Sequence, residues 1–140
     1  MKKGILLVGL AASALLVTGC NGGEGKTLNC TLEEKAGGTT TTSSVEMKFN
    51  SGNDKIEEAK MEISINYTEE YKSFADVFKQ TLESQKTNLE DIGYEVTITS
   101  SDLSQKLTAT GTSKTLDSSE STGSYEATKE SFEDSGYTCE

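Results

Sequence analysis

Ala59-Lys60-Met61-Glu62-Ile63-Ser64-Ile65-Asn66-Tyr67 alternates without a break, placing Ala59, Met61, Ile63, Ile65 and Tyr67 on one side and Lys60, Glu62, Ser64 and Asn66 on the other. A period of two marks a strand with one buried and one wet face. A few residues later the period changes. Tyr71, Phe74, Ala75, Phe78, Leu82, Leu89 and Ile92 recur at the three- and four-residue steps of a helix, forming one apolar face of a long amphipathic segment. Thr68 is a candidate N-cap, with Glu69 and Glu70 at the positive end of the dipole; Ser73 is a possible later start, and Gly93 a C-cap. The plain reading of the aromatic stripe is packing against the sheet, and the alternative is a groove for a hydrophobic ligand.

Shorter elements follow on either side. Leu28, Cys30 and Leu32 alternate with polar residues over 27–33, and Val45, Met47 and Phe49 over 45–49, giving two strands ahead of the central one. Residues 35–44, with Gly37-Gly38 and four consecutive Thr, read as a loop, and Asn50-Ser51-Gly52-Asn53-Asp54 as a hairpin tip. After the helix, Tyr94, Val96 and Ile98 alternate, Ser100-Ser101-Asp102 turns, and Leu103, Leu107, Ala109 and Gly111 mark a return strand. Residues 112–124 are Ser- and Thr-rich and read as a loop. Ser124 could cap a short helix over 125–135 that Gly136 ends. The expected fold is α+β, in the order strand-strand-strand-helix-strand-strand-helix, with an antiparallel sheet packed on one long helix.

The N-terminus carries the sharpest motif. Lys2-Lys3 precedes an uncharged apolar run from Gly4 to Val17, too short for a comfortable membrane span. Leu16-Val17-Thr18-Gly19-Cys20 then matches the lipobox of bacterial lipoproteins. That resemblance implies cleavage between Gly19 and Cys20 and a diacylglyceryl group on the Cys20 thiol. Residues 1–19 are accordingly a signal peptide, 20–26 a lipidated Cys and polar, Gly-rich tether, and 27–140 a single α+β domain. One acyl chain binds a membrane only marginally, at about 0.8 kcal/mol per buried methylene, whereas two anchor stably. The tether spans roughly 13 Å, so the domain sits near the outer face of the membrane.

With Cys20 lipidated, Cys30 and Cys139 remain, near the two ends of the domain and outside the reducing cytoplasm. A structural disulfide is the simplest expectation. Free thiols are the next reading, and a redox pair is a third, although the two are not adjacent as in a CxxC site.

Composition narrows function further. The chain has no His, Arg, Pro or Trp, so a His-based triad, His-ligated zinc and an Arg clamp on phosphate are all closed to it. From Cys20 onward there are 11 Lys against 23 acids, a net charge of about −12 that disfavours nucleic acid and anionic headgroups. The Gly22-Gly23-Glu24-Gly25 run lacks the ending of a phosphate loop, and 50–54 has too few carboxylates for a calcium loop. Glu33-Glu34, Glu57-Glu58 and Glu69-Glu70 are neighbouring acids of the kind solvated faces carry, and no Ser–Lys dyad stands out.

The element order behind a lipobox resembles the YehR-like family of small bacterial lipoproteins. The likeness lies in the strand pair Val45–Phe49 and Asp54–Tyr67 with its Asn53-Asp54-Lys55 turn, the helix through Phe74–Ile92, and the hairpin Tyr94–Gly111 followed by a terminal helix. The Cys30/Cys139 pair departs from that family and is closer to a set of Gram-positive lipoproteins, as is a Lys-rich, Arg-free composition. The family has no established activity, so no catalytic residue carries over. The expectation is a non-enzymatic lipoprotein at the outer face of the cell membrane. It needs no cofactor beyond the lipid on Cys20. Its partners are the membrane and an envelope protein, peptide or small ligand, with nucleic acid excluded. A structural role in envelope maintenance and a small carboxylate- or Ser–Lys-dependent enzyme are the alternatives.

Overall fold

The protein is described by a computed structural model that covers residues 25–117 and 123–140. The expected signal peptide, the expected Gly19–Cys20 cleavage point and most of the expected tether lie outside the described residues. The elements run β1 (Thr27–Ala36), β2 (Thr39–Phe49), β3 (Ile56–Tyr67), a 3-10 turn (Glu69–Phe74), α1 (Ala75–Asp91), β4 (Glu95–Ser101), β5 (Ser104–Thr112), α2 (Tyr125–Asp134) and β6 (Thr138–Cys139). The fold is α+β; the described residues form a six-stranded antiparallel sheet in the order β4-β5-β3-β2-β1-β6 and two helices.

Residues 39–44, expected to be loop, are instead the first half of β2, paired with β1 on one side and β3 on the other. Gly37-Gly38 alone makes the turn. Gly37 has a φ of 60°, as the first central residue of a II′ hairpin requires. The Thr run is well suited to this, because β-branched side chains favour extended backbone. The chain end also differs from expectation: Thr138–Cys139 adds a sixth strand on β1.

Register puts the apolar set of every long strand on one face. Leu28 pairs with Met47, Cys30 with Val45, Val45 with Met61, and Met61 with Ala109. Both helices cover this face, α1 over β4 and β5, α2 beside β1 and β6. Leu28, Leu82 and Leu107 are almost fully buried, and burying such a side chain contributes about 1.5–3 kcal/mol. Tyr67 meets Phe78 at 5.1 Å, and Phe49 meets Tyr125 edge-on at 5.5 Å.

Of the predicted helical stripe, Leu82 is buried and Ala75, Phe78, Leu89 and Ile92 pack on the core. Phe74 does not, and is half exposed. It ends the 3-10 turn, whose three-residue period shifts its phase against the α-helix that follows. Thr68 precedes that turn without a side-chain cap bond. Gly93 closes α1 at a φ of 100°, and Ser124 Oγ accepts the Ala127 N–H at 3.2 Å to cap α2. Leu116, a lone apolar residue in the Ser/Thr-rich stretch, is buried against Gly111. Lys26, given to the tether by its sequence, joins the fold. Its N–H donates to Asn53 Oδ1 at 2.7 Å, its carbonyl accepts from Phe49, and its ammonium sits 4.6 Å from the Tyr125 ring centroid.

Candidate functional site

Among the described residues, no helix covers the other face of the sheet. That face presents the polar half of each alternation. Two cross-strand rows run side by side through its middle. In one, Asn29 stands opposite Glu46, Glu46 opposite Lys60, and Lys60 opposite Thr110. In the next, Thr31 stands opposite Ser44, Ser44 opposite Glu62, and Glu62 opposite Thr108. The two rows meet over β1, β2 and β3. There Asn29, Thr31, Ser44, Glu46, Lys60 and Glu62 line a hollow of ≈ 290 Å³.

Its chemistry is that of a hydrogen-bonding surface. Two carboxylates, one ammonium, one amide and two hydroxyls face the same space. Glu62 is held by Lys106 at 3.0 Å, and at the rim Lys48 pairs with Glu58 at 3.2 Å. Among the described residues neither Lys60 nor Glu46 forms an ion pair within 4 Å. Their charges are therefore left for solvent or a partner.

The other sequence candidates are dispersed. Glu33 and Glu34 are strand neighbours and point to opposite faces, and Glu57 and Glu58, both exposed, sit where β3 slips register against β2. Glu69 and Glu70 lie exposed in the 3-10 turn. Among the described residues no Ser hydroxyl is hydrogen-bonded to a Lys amine, and no group of three or more His, Cys, Asp or Glu is placed to hold a metal. Asn50–Asp54 is a turn in which Asn50 Oδ1 accepts the N–H groups of Asp54 and Lys55. Cys30 and Cys139 are brought to disulfide distance, 2.01 Å between sulfurs. No described helix is long and apolar enough to cross a membrane.

Sequence reading missed the hollow itself. Its signal was present, since Lys60, Glu62 and Glu46 are the polar partners of the apolar alternation. What it lacked was the register that sets them side by side.

No family model matches the chain, and no curated protein matches its sequence. Among solved structures, it is similar to a protein from Streptococcus pneumoniae TIGR4 determined by NMR. The two share 12% identity and a TM-score of 0.47, over 82% of this chain and 84% of that one.

Proposed function

We propose that this is a membrane-anchored extracytoplasmic lipoprotein, in the manner of the YehR-like lipoproteins whose element pattern it resembles. Its open sheet face is the binding surface for a polar partner at the envelope. The lipobox ending in Cys20 supports the anchor. The observation that carries the binding role is the bare face itself. Both helices lie on one side of the sheet, and the other side gathers Asn29, Thr31, Ser44, Glu46, Lys60 and Glu62 around one hollow, with Lys60 and Glu46 outside any ion pair. An open hollow lined by hydrogen-bonding and charged side chains suits recognition of a polar partner.

Two measurements test the reading. Intact mass of the full chain extracted from its native membrane should begin at a diacylated Cys20, and Cys20→Ala should abolish both the lipid and membrane retention. An unlipidated mature mass overturns the anchor. For the face, a photo-crosslinking residue at Ser44 should capture a discrete partner in intact cells, and one at exposed Glu130 on α2 should not. Lys60→Glu should then weaken capture at Ser44. Equal capture from both positions, or none from Ser44, overturns the binding surface.

A further inference from the structure

β4 is one edge of the sheet, and no described residue pairs with its outer side. Its seven residues carry a single charge, Glu95, and neither Lys nor Pro, the residues by which exposed edges commonly avoid pairing. Ser101 and Ser104 bracket a two-residue loop and so form a hydrogen-bonded pair. The alternation then turns the N–H and C=O groups of Glu95, Thr97 and Thr99 toward β5, and those of Val96, Ile98 and Ser100 outward.

We propose that a second copy of this chain docks on that edge, β4 pairing antiparallel with its twin about a two-fold axis at Ile98. The register is self-consistent. Ile98 falls opposite its own counterpart, Val96 opposite Ser100, Thr97 opposite Thr99, and Glu95 opposite Ser101, so no like charges meet. The outward N–H groups of each copy find the outward carbonyls of the other, and the apolar alternation continues across the seam.

The helix above the edge matches as well. Phe78 touches Tyr67 of β3, and Lys72 in the preceding turn reaches Asp102 of the β4–β5 loop at 2.6 Å. The Phe78 flank of α1 therefore faces the middle of the sheet. The opposite flank, bearing Lys79, Glu83, Lys86 and Glu90 at steps of four, three and four, overhangs β4. The Tyr94 N–H bonds the Leu89 carbonyl at 3.0 Å, so the strand starts level with the last helical turn. Ile98 stands four residues further, about 13 Å along the strand. That equals about nine helical residues back from Gly93, the level of Ser84-Gln85. A two-fold axis at this height lays α1 antiparallel to its copy, with Lys79 opposite Glu90 and Glu83 opposite Lys86. Each helix flank is thus complementary in charge to its own reverse. The pairing also joins the two open faces into one continuous polar surface.

The test uses the full chain in membranes and in detergent. Oxidation of Ile98→Cys should give a covalent dimer on a non-reducing gel. Glu95→Cys should not, since its twins stand roughly 20 Å apart in this register. The exposed substitution Glu83→Lys should weaken dimerisation about tenfold by sedimentation, and adding Lys86→Glu should restore it. Thr97→Glu together with Thr99→Glu sets like charges opposite each other across the seam while sparing the β4–β5 ladder, in which position 99 faces Lys106, and should give a folded monomer. A folded wild-type chain that stays monomeric overturns the proposal. So does cross-linking of Glu95→Cys as readily as Ile98→Cys, or a charge swap without rescue.

Discussion

Cys30 and Cys139 stand directly opposite each other on β1 and β6, their Cα atoms 4.1 Å apart. Their neighbours Asn29 and Glu140 exchange both backbone hydrogen bonds, at 3.0 and 2.8 Å. The cysteines are therefore a non-hydrogen-bonded cross-strand pair, the closer of the two antiparallel arrangements. Only two residues of β6 pair with β1, and a strand that short has little hold of its own. The bond between the sulfurs is what keeps the terminus, and the end of α2, on the sheet.

Breaking that bond should accordingly cost more than the two pairings it guards. The cysteines are 109 residues apart, and closing a loop of that size stabilises a domain by up to about 4.7 kcal/mol. Cys139→Ser, or reduction, should lower Tm by on the order of 10 °C. Amide exchange should speed up first at Asn29, Glu140 and α2. Intact mass should rise by two hydrogens on reduction. An unchanged Tm and mass would mean free thiols.

Gln105 is the one buried polar side chain among the described residues. Its amide donates to the Tyr67 hydroxyl at 3.1 Å, and its carbonyl accepts from the Ser100 hydroxyl at 2.5 Å. Replacing only the centre of this relay strands its ends. Gln105→Ala should destabilise by about 1–3 kcal/mol through the unsatisfied Tyr67 hydroxyl and the space left. Tyr67→Phe should cost less, since Gln105 keeps its bond to Ser100. Denaturant midpoints at constant m-value check the ranking.

The elements best legible in the sequence are those whose apolar residues alone face the core. β3 shows its alternation through Tyr67, and α1 its face from Ala75 to Leu89. β2 was legible only where Val45, Met47 and Phe49 enter the core. Further up, its core-side positions are Thr39, Thr41 and Ser43, so the alternation disappears although the strand continues, held by neighbours on both sides. β6 has two residues and no period to show. Phe74 obeyed the helical spacing in sequence, but a change of helix type turned it out. Lys60 and Glu46 were visible as polar positions; only cross-strand register makes them neighbours, and register is a long-range property.

Lys72 at the surface is held by Asp102 at 2.6 Å, with Glu69 farther off at 3.9 Å. The hydrogen bond to Asp102, helped by the charges of both acids, raises the ammonium above the ordinary lysine value of 10.5. The sign follows directly. A raised folded-state pKa means that the pair's contribution is fully present below about 10.5 and is lost as pH climbs through the folded value. Following the Lys72 side-chain resonances by NMR in alkaline titration should show a midpoint above the ordinary lysine value, and Asp102→Asn should bring it down toward that value.

Gly93 carries the passage from α1 to β4 and has two reasons to be glycine. Its φ of 100° lies where other residues are strained, and a Cβ there would sit 1.9 Å from the Thr115 carbonyl oxygen. The strand that follows cannot shift to make room, because the Asp117 N–H bonds the Ile92 carbonyl at 3.2 Å and ties the 113–117 segment to the same corner. Gly93→Ala should therefore destabilise by about 2–4 kcal/mol, more than strain or a clash alone. Gly52→Ala is the control: its added Cβ would come no nearer than 3.2 Å to any atom, and that atom is the end of the Asp54 side chain rather than backbone, so Tm should move little. Equal losses at the two sites would show that α1 and the 113–117 segment are not locked together at Gly93.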